Sequence, residues 1–253
     1  MFTGWIDFRG AEMLSSRLAA RPRRQRGLSI VELMVGVAIG LFVVAAATML
    51  VSTQLSENRR LMLETQVEQD LRASADIITR ELRRAGHWAK ARDGVWYADN
   101  VALVRDNPYT LIAKADGTAF ANGDVSSTVL MSYSRSGDEA DETGVIEAAE
   151  QLGFRLDNGV IQTRLGDAGW QALTDGNTLK VTEFTLTMNR QPIRLECAKP
   201  CPDPLVDCRP TLEVRDLRVL IRGEAANDSN VKRSVDSTVR LRNDAIIPGT
   251  CPA

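Results

Sequence analysis

From Leu28 to Val51 the chain runs for 24 residues with a single ionisable side chain, Glu32. At about 1.5 Å per residue a helix of that length spans the ~30 Å hydrocarbon core of a bilayer. Four arginines between Arg21 and Arg26 abut the run, so the positive-inside rule predicts a cytoplasmic N-terminus and places everything after about Ser52 beyond the inner membrane. A conventional secretory signal has an apolar core of about 7–15 residues followed by a small-residue cleavage site, whereas here the small residue, Gly27, precedes the core. The odd element is Glu32, a carboxylate one turn inside a lipid-compatible segment. Such a group costs roughly 2–3 kcal/mol or more unless something pairs with it.

Charge separates the leading segment from the rest. The 253 residues carry a net −2, while the stretch up to Gly27 holds six arginines against Asp7 and Glu12, leaving −6 on the remainder. That balance does not suggest a nucleic-acid binder, which would need a basic face, and no direct nucleic-acid binding is expected. Met13 is an alternative start to Met1 and would shorten the leading segment to 15 residues.

Helical periodicity continues past the apolar run. Leu63, Val67, Leu71, Ala75, Ile78, Leu82 and Ala85 recur every three or four residues, with acids, glutamines and arginines between them. No proline interrupts Leu28 to Gly86, and Gly86 stands where a C-terminal cap belongs. The pattern predicts one helix of roughly 55–60 residues, about 85 Å long. A break near Ser52 to Asn58 would give two helices instead.

After Trp88 the texture changes to strands. Val125–Tyr133, Phe154–Leu156, Val160–Leu165, Lys180–Met188, Leu212–Arg222 and Val231–Arg242 are β-rich, and Asp157-Asn158-Gly159 is a hairpin signal. Lys180–Met188 reads as a clean alternation, and Gly223 to Asn230 as a polar turn. One antiparallel sheet of five or six strands, packed on the stripe from Leu63 to Ala85, makes an α+β fold. The loosest regions are Ala89 to Asp124 and the proline-rich insert from Gln191 to Pro210. The predicted division is 1–27 as a cytoplasmic leader, 28–51 as a transmembrane or filament-core helix, 52–88 as an amphipathic continuation and 89–253 as a β-rich globular domain.

Gly27-Leu28-Ser29-Ile30-Val31-Glu32 resembles the type III signal of type IV pilins and type II secretion pseudopilins, with leucine where that family most often has phenylalanine. The resemblance implies that a prepilin peptidase cuts between Gly27 and Leu28 and that Leu28 becomes the N-methylated first residue. It also implies a long helix packed on an antiparallel sheet. Asp76-Ile-Ile-Thr-Arg-Glu-Leu-Arg-Arg-Ala-Gly86, the length of the chain and the late strand ending Thr238-Val-Arg-Leu-Arg-Asn-Asp244 resemble PilW-like minor pilins and the J-class minor pseudopilins.

On this reading Glu32 is a register device for subunit assembly. The freed ammonium at Leu28, of the same or a neighbouring subunit, neutralises its carboxylate, and low dielectric sharpens the attraction. The competing reading has Glu32 near the cytoplasmic interface, merely tolerated.

Cys197, Cys201, Cys208 and Cys251 all fall in the last quarter, an even number for an oxidising compartment, and suit two disulfides with three possible connectivities. A zinc site is disfavoured because Cys-x3-Cys-x6-Cys lacks paired knuckles. Asp138, Glu139, Asp141 and Glu142 supply hard oxygen ligands without EF-hand spacing, so calcium stands as the alternative to a solvated loop.

The only histidine, His87, reads as a capping or packing residue. No motif for nucleophilic, metal-hydrolytic or phosphate chemistry is present, so neither an enzyme nor a cofactor is expected. The expected role is a minor pilin that primes pilus assembly and joins the tip complex, in support of twitching, adhesion or DNA uptake. Its expected partners are the prepilin peptidase, other minor pilins, the major pilin and a tip adhesin. It would reside in the inner membrane before assembly and in the pilus afterwards. The alternatives are a J-class pseudopilin or a single-pass anchored periplasmic binding domain.

Overall fold

A computed structural model describes residues 27–96, 105–203 and 207–252. The predicted leader, with its arginines and both candidate starts, lies outside the described residues except for Gly27. One helix, α1, runs unbroken from Ile30 to Arg84, 55 residues, and Ser52 to Asn58 are helical. The chain divides into two compact units, one ending at Gln54 and the other beginning at Leu55.

In the first unit every described residue is exposed, and α1 is there long and apolar enough to cross a membrane. The Thr48 hydroxyl donates to the Val44 carbonyl at 2.9 Å, so the one hydroxyl deep in the run is satisfied within its own helix.

In the second unit the predicted stripe is buried from Val67 on: Val67, Leu71, Ala75, Ile78, Leu82 and Ala85 are each at most 3% exposed, and Leu63 packs half-buried at its edge. What covers the stripe is two antiparallel sheets, not the single sheet expected. The larger is built from β1 (Val125–Ser126), β6 (Leu179–Arg194), β7 (Thr211–Ala225) and β8 (Asp228–Arg240) in that order, with β9 (Ala245–Ile247) pairing the start of β7. The smaller runs β2 (Thr128–Ser132), β3 (Gln151–Asp157), β4 (Val160–Leu165), β5 (Trp170–Ala172). Ser127 alone separates β1 from β2, so the stretch expected as one strand changes sheets there. The predicted Asp157-Asn158-Gly159 turn joins β3 to β4, with Asn158 at φ +48° and Gly159 at φ +79°. Both sheets and the stripe close one hydrophobic core.

Three local departures have physical causes. The alternation of β6 is broken by a bulge: Leu179 and Val181 face inward, the register slips between Val181 and Glu183, and Phe184, Leu186 and Met188 then take the inner positions. Thr182 absorbs the extra residue and donates its hydroxyl to the Arg222 carbonyl at 3.3 Å. β6 also continues through Gln191–Arg194, which had been read as insert. The N–H groups of Met188 and Arg190 point to the outer edge, onto Asp124 O and Asn122 Oδ1, so Pro192, two residues on, places its missing donor where no ladder bond is needed. Finally, the expected polar turn shrinks to Ala226–Asn227 because β7 and β8 extend into it.

Ala89 to Asp124 is not loose where it is described: Tyr109, Ile112 and Phe120 are all at most 2% exposed. The outer face of the larger sheet carries cross-strand ion pairs, Arg218 with Asp236, Arg222 with Glu183, and Lys180 with Glu224.

Replacing Ile78, fully buried at the centre of the stripe, by alanine is expected to destabilise the globular unit by about 2–5 kcal/mol. Chemical unfolding followed by circular dichroism measures this. Ile77→Ala, at a half-exposed neighbour, is the control and should cost well under half as much.

Candidate assembly and processing site

The processing signal meets the start of α1. Ser29 caps the helix: the N–H of Val31 donates to its Oγ at 3.3 Å, and the N–H of Leu33 donates to its carbonyl at 3.0 Å. Glu32 therefore stands in the first turn, where unpaired N–H groups and the positive end of the helix dipole favour a carboxylate. That gives the acid a local reason for its position besides any partner amine. Gly27 lies just outside the helix with open space around it, and Leu28 is 72% exposed.

Residues 27–62 are all exposed, a continuous surface that only lipid or other apolar helices can cover through Val51. Gly36 and Gly40 are one turn apart within it, and nothing lies within 4 Å of where a Cβ would stand on either. Such a pair permits close helix–helix approach. The G-x-x-x-G spacing is visible in the sequence and is a further feature of this face.

The other end of α1 is buried and elaborately capped. Gly86, at φ +77°, reverses the chain and donates its N–H to Ser132 O of β2 at 3.0 Å. Its carbonyl accepts from the side-chain amides of Asn107 and Asn243. Arg215, 3% exposed, donates to the carbonyls of Thr110 and Asn243. Beside it, Tyr109 is fully buried with its hydroxyl 3.0 Å from both Glu142 Oε1 and Glu150 Oε2. The phenol has one proton, so it donates to one carboxylate at a time, and burial with these two acceptors pushes its pKa upward.

Burial alone would raise Glu142, but hydrogen bonds from Ser134, the Gly144 N–H, Tyr109 and the Ala89 N–H outweigh it and hold the carboxyl below the usual range. His87 is lowered by burial and by Arg242 and Arg84, against an opposing pull from Glu142, and its carbonyl accepts from the Ser134 N–H at 2.8 Å. It packs at the helix end, as its sequence position suggested.

The acidic cluster is dispersed. Asp138 caps the backbone of Ala140 and Asp141, Glu139 pairs with Arg92, and Glu142 turns inward to Tyr109. Among the described residues no group of three or more potential ligands could hold a metal ion.

The four cysteines pair as Cys197–Cys251 and Cys201–Cys208, which selects one of the three connectivities. The first ties the C-terminal tail to the insert between β6 and β7, and the second closes that insert on itself. Tyr109, Glu150, Asn107, Asn243 and Arg215 were missed in the sequence. Only Arg215 left a readable trace: it occupies an inward position of β7, in step with Leu217, Val219 and Ile221.

A capped apolar helix that begins at a glycine-preceded signal and ends in a two-sheet core defines a prepilin-type subunit, and the prokaryotic N-terminal methylation motif matches residues 22–48. The chain belongs to the prepilin peptidase-dependent protein B family, whose model matches residues 60–241, more than half of its length. No curated protein and no solved structure matches it.

Because the folded pKa of Glu142 lies below its ordinary 4.5, it contributes stability above that value that is lost as pH falls through the folded value. Urea midpoints should therefore drop on acidification below about pH 4.5. Glu142→Gln should lose about 1–3 kcal/mol at neutral pH and show a flatter pH dependence in that range.

Proposed function

We propose that this chain is cleaved between Gly27 and Leu28, N-methylated on Leu28 and assembled as a non-enzymatic minor pilin of the PilW-like kind. In that role it primes a type IV pilus, takes part in the tip complex and contacts other minor pilins, the major pilin and a tip adhesin. Twitching, adhesion or DNA uptake would depend on it through the filament. The observation that carries the reading is Glu32, in the first turn of a helix whose residues 30–51 hold no other ionisable side chain and are exposed throughout. A freed amine at Leu28 supplies the counter-charge, and neighbouring helices replace lipid along the exposed run. The membrane peptidase that the family name implies supplies the cut.

Intact-mass analysis of the membrane-extracted protein tests processing: the expected chain begins at Leu28 with one added methyl group, and one retaining Arg26 and Gly27 would overturn the proposal. Glu32→Ala is expected to insert into the membrane normally while incorporation into filaments drops about tenfold, the equivalent of an ion pair worth about 1.4 kcal/mol. Quantitative immunoblotting of sheared filaments reads it, and unchanged incorporation refutes the assembly role. Co-purification of minor pilins supports the pilus assignment, whereas secretion pseudopilins in their place would move the chain to the J-class reading.

A further inference from the structure

The two disulfides are not independent. Cys197 Sγ lies 3.9 Å from Cys208 Sγ, although each is bonded to a different partner, so the four sulfurs form one series, Cys251–Cys197···Cys208–Cys201. We propose that this cluster is a thiol–disulfide relay, entered at Cys201, that releases the C-terminal tail when a dithiol reduces the protein.

Within the Cys201–Cys208 bond the point of attack follows from burial. Cys201, like Cys197 and Cys251, is half-buried, whereas Cys208 is 5% exposed, so a thiolate that attacks this bond reaches Cys201 Sγ and displaces Cys208 as the leaving thiolate. The accessible sulfur is thus attacked and the buried one is freed, beside the second disulfide. The Cys208 thiolate then attacks Cys197 Sγ, forming Cys197–Cys208 and expelling Cys251 as a thiolate that takes up a proton. The second thiol of the reductant resolves the mixed disulfide at Cys201. Two electrons pass from the dithiol, which leaves as its disulfide. The protein ends with one disulfide, Cys197–Cys208, and two thiols, Cys201 and Cys251.

The local packing gives the exchange a structural consequence. The tail lies against the insert so closely that a Cβ on Gly249 would come within 2.4 Å of the Cys208 carbonyl oxygen, and the Thr250 N–H donates to that same oxygen at 2.8 Å. The Leu195 N–H donates to Pro210 O at 2.9 Å and holds the neck of the insert independently of either disulfide. The relay therefore keeps the insert cross-linked while it cuts the tail's covalent tie. An ordinary reduction of Cys201–Cys208 would leave that tie intact.

The test is a time course on the full chain in detergent. The oxidised protein is treated with one equivalent of dithiothreitol, quenched with iodoacetamide at intervals and digested with a protease cutting before Asp203 and Asp207, which separates Cys201 from Cys208. The expected result is early alkylation of Cys201 and Cys208, followed by loss of label from Cys208, its gain on Cys251, and growth of a Cys197–Cys208 cross-linked peptide. Label that stays on Cys201 and Cys208 with Cys197–Cys251 intact overturns the proposal. In a Cys201→Ser/Cys208→Ser variant, checked for native circular dichroism, Cys251 should be alkylated at least about tenfold more slowly, because intramolecular attack is lost. An unchanged rate also overturns it.

Discussion

The reversal that ends α1 inside the protein buries backbone carbonyls just beyond the helix, and the globular unit brings donors to them from several segments. The Gly86 carbonyl is held by Asn107 and Asn243, one from the segment before β1 and one from the segment after β8. Arg215 of β7 bonds the carbonyls of Thr110 and Asn243, tying the same two segments to the larger sheet. Gly86 itself bonds β2 of the smaller sheet. Parts of the chain more than 150 residues apart thus meet at one helix end. A buried arginine is accommodated there because its two terminal nitrogens donate to backbone carbonyls, while its Nε is left buried without a partner.

What could be read from the sequence divides along physical lines. The helix was legible because its two halves follow simple rules: an all-apolar run, then a stripe with a period near 3.6 ended by Gly86. The β3–β4 hairpin was legible from its Asn-Gly turn. The two-sheet layout was not, because the switch between sheets rests on Ser127 alone, and nothing in a β-rich stretch marks such a crossing. The bulge at Thr182 was visible as a three-residue step from Val181 to Phe184, but it reads as noise in a strand expected to alternate. Pairing among the cysteines depends on where β9 returns, which local patterns do not encode. The Tyr109–Glu142–Glu150 cluster joins two connections, Tyr109 from the one before β1 and both glutamates from the one between β2 and β3, and single polar residues in such connections carry no period to betray their burial.

The N-terminal unit obeys a different logic. Its helix has no interior of its own, since every described residue there is exposed, so its stability must come from surroundings that the polypeptide does not supply. Ser29 and the dipole give Glu32 a favourable seat at the helix start, and the same geometry leaves the carboxylate free for a partner amine. The prokaryotic N-terminal methylation motif matches residues 22–48, the stretch that holds both residues.

The ladder of paired charges on the outside of the larger sheet has an effect of its own. A neighbour settling on that surface would strip water from Arg218, Asp236, Arg222 and Glu183 together, and the lost hydration would offset much of what the contact returned. That flank is therefore insulated against lateral stacking. Close association is steered instead toward the rims and loops, where fewer ions must be dehydrated.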